Sequence, residues 1–447
     1  MKKTSLMMVL IAIFMLVSRS ASFYREALGA GDALETESSF GDPHDKSGLP
    51  VLTDKSILDD YVHYAMLNNP GLQGAFDRWK SALQKVAASQ TLPDPRFTYS
   101  HYIEEVETRV GAQKHAFGIT QMFPWFGKLD LKGKIALEKA NVEKQRFEKM
   151  RLKVIDKVKQ IYCEYYFLKR SIDITGENRA LLHYLESVAR TRYKSGDARQ
   201  GAIIKVQVEL GKLEDRLSSL RDMMRVLKTK LNSTLNRPAH APLSVPKILS
   251  QETFNMEDEH LVSLLLANNP ELKVFDIMKT KEDLEVELAS KNYFPDMTLG
   301  LNYIQTDSRT DMNPEDNGKD PVIALLSLNI PIWRKKYDAA KQEALIRRRA
   351  VEGERSDKKN KLIADLESAL YELRDAMRKI ILYRDTLIPQ AKQAMQVIQT
   401  AFMSGKAGLL DLIDSQRILL DFELNYERAL TNRSQQISEI KRLVGEE

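Results

Sequence analysis

Few side chains in this 447-residue sequence belong to the types that hold metals or move protons near neutral pH, and none is arranged for either task. The seven histidines (His44, His63, His101, His115, His183, His240 and His260) are scattered, with no His-x-x-x-His spacing and no Cys/His cluster. The single cysteine, Cys163, sits in Ile161-Tyr162-Cys163-Glu164-Tyr165. It can form no internal disulfide and is expected to behave as a small buried hydrophobe. Met223-Met224 lies on a helical stretch, where packing is favoured over a copper site. Neither a phosphate-binding glycine loop nor a nucleophile elbow is present. The expectation is a protein that is not an enzyme, with no catalytic residue, no cofactor and no metal ligand set.

Composition supports a structured chain. Of the residues, 43% are hydrophobic and 29% charged, while glycine (20) and proline (15) are scarce, which excludes disordered and collagen-like classes. Residues 1–22 have the pattern of an export signal: Lys2 and Lys3, an apolar run from Leu6 to Val17, then Ser20-Ala21-Ser22 before Phe23. The run is about a dozen residues, short of the roughly 20 a helix needs to cross a bilayer. The net charge of +5 includes Lys2, Lys3 and Arg19; removing these three leaves 64 basic against 62 acidic residues. Charges of both signs are interspersed, which fits solvated helix faces and argues against a nucleic-acid partner.

The elements that organise the chain emerge from self-comparison. Asn68-Asn69-Pro70-Gly71-Leu72 returns as Asn268-Asn269-Pro270-Glu271-Leu272, and Leu92-Pro93-Asp94 as Phe294-Pro295-Asp296. Gln121-Met122-Phe123-Pro124-Trp125 matches Asn329-Ile330-Pro331-Ile332-Trp333, and Tyr193-Lys194-Ser195-Gly196 matches Phe402-Met403-Ser404-Gly405. Four landmarks in one order at offsets of about 200 residues indicate a duplication. After an extended segment over 23–53, a first repeat spans 54–245 with a hairpin at 95–124, and a second spans 246–447 with a hairpin at 295–331. In each, an asparagine cap and an N1 proline start a helix. Two runs of about ten residues follow, then a long helix over 128–194 or 334–403, a Ser-Gly break, and a return helix over 199–235 or 409–443.

The hairpins alternate. Met297, Leu299, Leu301 and Tyr303 are interleaved with Thr298, Gly300 and Asn302; Leu326, Leu328 and Ile330 flank Ser327 and Asn329. Phe97, Tyr99 and Ile103 alternate with Thr98 and Ser100, but His101 breaks the apolar row. This suits lipid-spanning barrel strands, and alternation alone suits equally a soluble hairpin with one buried face. Four strands cannot close a barrel and an open edge cannot sit in lipid, so spanning strands would have to be pooled, twelve from three chains. A helix of 67 residues would be about 100 Å long. Ile363, Leu366, Leu370, Leu373, Met377 and Ile380 follow a coiled-coil spacing, as do Ile155, Val158, Tyr162, Tyr165 and Leu168. Pro389 should kink or locally end the second long helix.

With these landmarks the chain resembles the TolC-type outer-membrane efflux family over nearly all of its mature length. Within that family it is most similar to the heavy-metal branch serving copper/silver and cobalt/zinc/cadmium pumps. The duplicated Asn-Asn-Pro, Leu92-Pro93-Asp94-Pro95, the run from Gln121 to Leu129, and Ser404-Gly405-Lys406-Ala407-Gly408 through Asp414 carry the likeness. The resemblance implies a mainly α fold with a β-hairpin membrane part, in which a trimeric β-barrel joins an α-helical barrel. It implies a homotrimer in the outer membrane of a Gram-negative bacterium, set in outer-membrane lipid, with its helical part in the periplasm. Its partners would be a periplasmic adaptor (membrane fusion protein) and an inner-membrane efflux transporter exporting heavy-metal ions or drugs. Ser195, Gly196, Ser404 and Gly405 would mark the helix turns near the adaptor-docking tip.

By the same likeness, Asp411 and Asp414 would ring the periplasmic entrance, where carboxylates favour cations. Where some relatives lock that tip with a tyrosine and an arginine, this chain has Phe402 and Ala407, so other groups, such as Arg199 or Lys406, would hold it. The N-terminal cysteine through which many metal-pump relatives are lipidated is also missing. Two other readings are the outer-membrane component of a type I protein-secretion system and a non-pore periplasmic coiled-coil adaptor. The loops at 104–113 and 306–320 are expected to face outside the cell.

Overall fold

The computed structural model describes residues 49–53, 55–195, 200–244, 249, 254, 257–312 and 314–447. The expected export signal over 1–22, most of the expected 23–53 segment, Gly196 and Arg199 lie outside the described residues. The elements run α1 (Leu58–Asn68), α2 (Pro70–Gln90), β1 (Arg96–Thr108), β2 (Gly111–Phe123), α3 (Lys128–Lys194), α4 (Gln200–Thr234), α5 (Asp258–Asn268), α6 (Pro270–Lys291), β3 (Met297–Thr306), β4 (Val322–Leu328), α7 (Arg334–Leu382), α8 (Ile388–Met403) and α9 (Leu409–Val444). Of the runs expected to have about ten residues, β3 has 10, while β1 and β2 extend to 13 and β4 shortens to 7. The described residues form two compact units, residues 78–144 with 274–355, and residues up to 77 with 145–273 and 356–447.

The first unit holds a four-stranded antiparallel sheet in the order β1-β2-β3-β4. Register is fixed across it: Phe97 opposes Ile119, Ile119 opposes Leu301, and Leu301 opposes Ala324. Gly300 allows β2 to come close, since a Cβ there would lie 2.8 Å from Thr120 Cγ2 and 3.1 Å from the Ile119 carbonyl oxygen. Among the helical segments of this unit, Glu282 is buried and accepts from Arg347 Nε at 3.0 Å, while Arg348 pairs with Asp283 at 2.6 Å.

The second unit is helical and buries its own core in three clusters. One gathers Leu182, Leu185, Val206, Leu210, Phe402 and Leu412; a second Leu261, Leu265, Leu366, Leu370 and Ile440; a third Tyr61, Val158, Tyr162, Leu231 and Leu235. The α3 seam is buried at Ile155, Val158, Tyr162, Tyr165 and Leu168 as its spacing predicts. The α7 seam is buried at Leu366, Leu370, Leu373 and Ile380 as expected, but Ile363 is half-buried and Met377 exposed, and Leu362, Ala369 and Ala376 are buried beside it. Large residues alone mislead here, because alanine fills positions where two helices approach closely. Pro389 does not end the helix. The missing N–H is absorbed by a π-helical turn over Tyr383–Leu387, from which α8 continues.

Both Asn-Asn-Pro junctions do more than start a helix. Asn69 Oδ1 accepts the Leu72 N–H at 3.0 Å, and its amide donates to the Thr234 carbonyl at 2.8 Å. Asn269 Oδ1 accepts the Glu271 N–H at 2.8 Å while its amide donates to the Leu443 carbonyl at 2.8 Å. Each asparagine thus caps one helix N-terminus and satisfies an orphan carbonyl at the C-terminus of another. Cys163 is buried, and burial pushes its thiol up to about 12, the inert state expected from sequence. Met223 is not packed as its neighbourhood suggested: it stands exposed on α4.

Candidate functional site

One face of the sheet is apolar from edge to edge. Its successive rows are Phe123–Met297–Leu328, Leu299–Leu326, Phe97–Ile119–Leu301–Ala324 and Tyr99–Phe117–Tyr303–Val322. Gln121 falls in the second row but turns its amide to the Pro93 carbonyl, at 2.7 Å, which hides its polarity. The opposite face carries Thr98, Ser100, Gly118, Thr120, Thr298, Gly300, Asn302 and Ser327, interrupted by Met122 on β2 and Ile304 on β3. On β4 the alternation fails, because Ile323 and Leu325 make that strand apolar on both faces. Phe97 is 64% and Leu326 63% exposed, and no further strand among the described residues pairs with the outer edges of β1 and β4. Aromatic residues bracket the apolar rows. Tyr99, Phe117 and Tyr303 form the last row towards the hairpin ends, with Tyr99 and Phe117 ring centroids 5.3 Å apart. At the helix end Trp125 stacks on Phe294 at 5.2 Å, and Phe126 and Trp333 are exposed nearby in sequence.

The strands are anchored where they meet the helices. Asp296 Oδ1 accepts from the Trp125 N–H and from Lys128 Nζ, both at 2.8 Å, and Lys128 Nζ also donates to the Phe294 carbonyl at 3.2 Å. Burial opposes the charge of Asp296, but the Lys128 ammonium and the Trp125 N–H outweigh it and hold its carboxyl below the usual carboxylate range. The sequence repeat put Asp94 over Asp296, yet Asp94 is exposed.

The expected gate residues lie in the helical unit. The α8 helix ends at Met403, and Gly405 takes φ +79°, letting the Lys406 N–H reach the Ala401 carbonyl at 2.8 Å. A Cβ at Gly405 would meet nothing, so its backbone angle alone calls for glycine. Ser404 Oγ donates to the Ala401 carbonyl at 3.0 Å, and Ser195 closes α3 by donating to the Arg192 carbonyl at 2.9 Å. Gly408 starts α9, and Asp411 Oδ2 accepts its N–H at 3.0 Å. Asp414 lies 3.6 Å from Arg417. Both aspartates are exposed and flank the buried pair Leu412-Ile413, so they share the helix face turned away from the core.

A residue that sequence reading did not single out holds this turn. The Arg192 guanidinium covers the buried Phe402 ring at 4.5 Å, and its Nη2 donates to the Met403 carbonyl at 2.9 Å. Lys406, considered for that task, engages the turn through its backbone N–H, and Arg199 lies outside the described residues. The signal was available: Arg192 precedes the first Ser-Gly break as Phe402 and Met403 precede the second.

Among the described residues no helix is long and apolar enough to cross a membrane, and no group of three or more histidine, cysteine or acidic side chains could hold a metal ion. Residues 261–446 match the family model described as outer membrane efflux protein. No curated protein sequence matches significantly. Among solved structures, the outer membrane protein VceC from Vibrio cholerae superposes with TM-score 0.72 at 14% identity, covering 87% of this chain and 96% of that one. The Campylobacter jejuni CmeC outer membrane channel gives TM-score 0.73 at 13% identity, over 89% of this chain and 88% of that one. CusC, described for conformational changes accompanying folding and transmembrane channel formation, gives 0.74 at 12%, over 87% and 92%. Residues 261–446 therefore carry the outer membrane efflux protein signature, and the chain as a whole has the fold of these outer-membrane channels.

Proposed function

We propose that this protein is the outer-membrane exit channel of a tripartite efflux pump, working as a homotrimer. Each copy contributes four strands to a twelve-stranded barrel, and the duplicated helices line a periplasmic duct. The observation that carries this reading is the sheet: four strands, two open edges and an apolar face left exposed by the chain's own fold. An open edge is not tolerated in hydrocarbon, so lipid on the face and neighbouring copies on the edges satisfy both demands at once. The solved channels of the same fold support a channel over a stalk or adaptor. Exposed Ile204, Val208, Tyr371 and Val397 on the helices offer further apolar surface for neighbouring copies.

Conduction is passive. Energy comes from an inner-membrane transporter reached through a periplasmic adaptor that docks near the turns at Ser195-Gly196 and Ser404-Gly405. Heavy-metal ions or drugs are the substrates proposed. Asp411 and Asp414 place six carboxylates around the threefold axis at the entrance, a cation-favouring ring. An asparagine at 411 retains an oxygen for the Gly408 N–H, so substitution removes charge while preserving the cap. In planar bilayers the Asp411→Asn, Asp414→Asn double variant should lose cation selectivity and its block by multivalent cations added from the periplasmic side, while Asp421→Asn should match the wild type. Selectivity and block retained in the double variant would place the acidic ring elsewhere.

A further inference from the structure

The row of the sheet next to Tyr99–Phe117–Tyr303 is polar, and its chemistry is used by nothing described so far. On the same face, His101 of β1 lies directly opposite His115 of β2, which in turn opposes Gln305 of β3. His101 is exposed and His115 half-buried, with Nδ1 atoms 3.3 Å apart and ring centroids at 4.9 Å. Tyr99 Oη lies 2.9 Å from His115 Nδ1. The nearest ammonium in sequence, Lys114, is engaged by Glu105 at 3.0 Å and Asp307 at 2.9 Å, so its charge is locally offset.

We propose that His101 and His115 form a cross-strand chelate for a divalent transition-metal ion, preferring Cu2+ over Zn2+. Metal–imidazole bonds of about 2.0–2.1 Å, meeting at tetrahedral or cis-square angles, need nitrogens about 2.9–3.4 Å apart. The observed 3.3 Å falls in that window. The rings are stacked with planes 24° apart, so each must turn about χ2 for the lone pairs to converge; His101 is exposed and His115 half-buried, so neither ring is enclosed by the core. Strand pairing fixes the Cα positions beneath them, which preorganises the bite in a way two flexible surface histidines lack. Water completes the coordination, and Cu2+ ranks above Zn2+ for a nitrogen pair by the general order of divalent affinities. The site stands on strand register alone. Only its placement at the cell surface, just beyond the aromatic row, rests on the channel reading.

The test uses full-length protein carrying no histidine tag, purified in detergent, stripped with chelator and titrated with Cu2+ and with Zn2+ by calorimetry. One Cu2+ per protomer should bind, with Zn2+ weaker, and the electron paramagnetic resonance spectrum of the copper form should show coupling to imidazole nitrogens. His101→Gln and His115→Gln should each weaken Cu2+ at least about tenfold, a loss that outer-shell changes alone can produce. His183→Gln on α3 should leave binding unchanged. Circular dichroism and trimer mass report whether each variant has folded. Cu2+ affinity retained in either cross-strand variant overturns the chelate. Copper protection of a cysteine-reactive probe at Gln305→Cys, directly opposite His115 on the same face, on intact cells would add the surface placement; protection only after lysis would overturn that placement and leave the chelate intact.

Discussion

Leu366 of α7 has no exposed surface, whereas Leu326 of β4 keeps 63% of its own, although both are ordinary leucines in well-formed elements. The contrast extends to aromatics: Phe402 is buried under Arg192, while Phe97 stands open on the sheet. In the helical unit the chain supplies its own apolar partners, cluster by cluster. In the sheet it supplies register, a polar reverse face and anchored ends, and leaves one face and two edges to be covered from outside. On the proposed channel reading, burial inside one unit and exposure in the other would answer two solvents, water for the helices and hydrocarbon for the sheet.

Substitutions should separate the two regimes. Leu366→Ala should destabilise the helical unit by about 2–5 kcal/mol, read as a lowered thermal midpoint of helix ellipticity in detergent, while Met377→Ala, exposed on the same helix, should change little. Equal effects would mean that the buried seam is misplaced. Leu301→Arg, in the central apolar row, should cost about 2–4 kcal/mol of insertion into lipid vesicles. Thr98→Arg on the reverse face should insert nearly as well as wild type, and the opposite ranking would invert the two faces. Lys128→Met should cost about 2–3 kcal/mol, less than a fully buried pair because Asp296 retains some solvent. The folded-state pKa of Asp296 lies below its unfolded value, so its contribution is complete above the usual carboxylate range and declines as pH falls through the folded value. A Lys128→Met midpoint that converges on wild type as the medium is acidified checks the sign. Arg192→Leu should have the smallest effect, about 0.5–1 kcal/mol, confined to the turn after Met403 and visible as faster amide exchange at Gly405 and Lys406.

Much of this is legible in the sequence. Asn69-Pro70 and Asn269-Pro270 announced helix starts because capping chemistry is local, and the alternation of Met297 to Tyr303 announced a two-faced strand. Legibility failed where the deciding contact is distant in sequence or small in size. The partners of the Asn69 and Asn269 amides, the carbonyls of Thr234 and Leu443, lie more than 160 residues away. The α7 seam runs through Ala369 and Ala376, which hydrophobic spacing undervalues. Pro389 suggests a kink or a local end because a missing N–H has no local remedy in an α-helix, and the π-helical turn supplies one without ending the helical run. Arg192 escaped notice because its target, Phe402, belongs to the other half of the chain.

The central claim is that the four-stranded sheet is one third of a twelve-stranded barrel and incomplete alone: copies must pool their strands. The most direct measurement is the mass of the purified protein in mild detergent, by light scattering corrected for bound detergent. The account predicts a single species of three copies of the 51.1 kDa chain, each less the proposed export segment over 1–22, persisting on dilution. A monodisperse monomer that remains folded would contradict it.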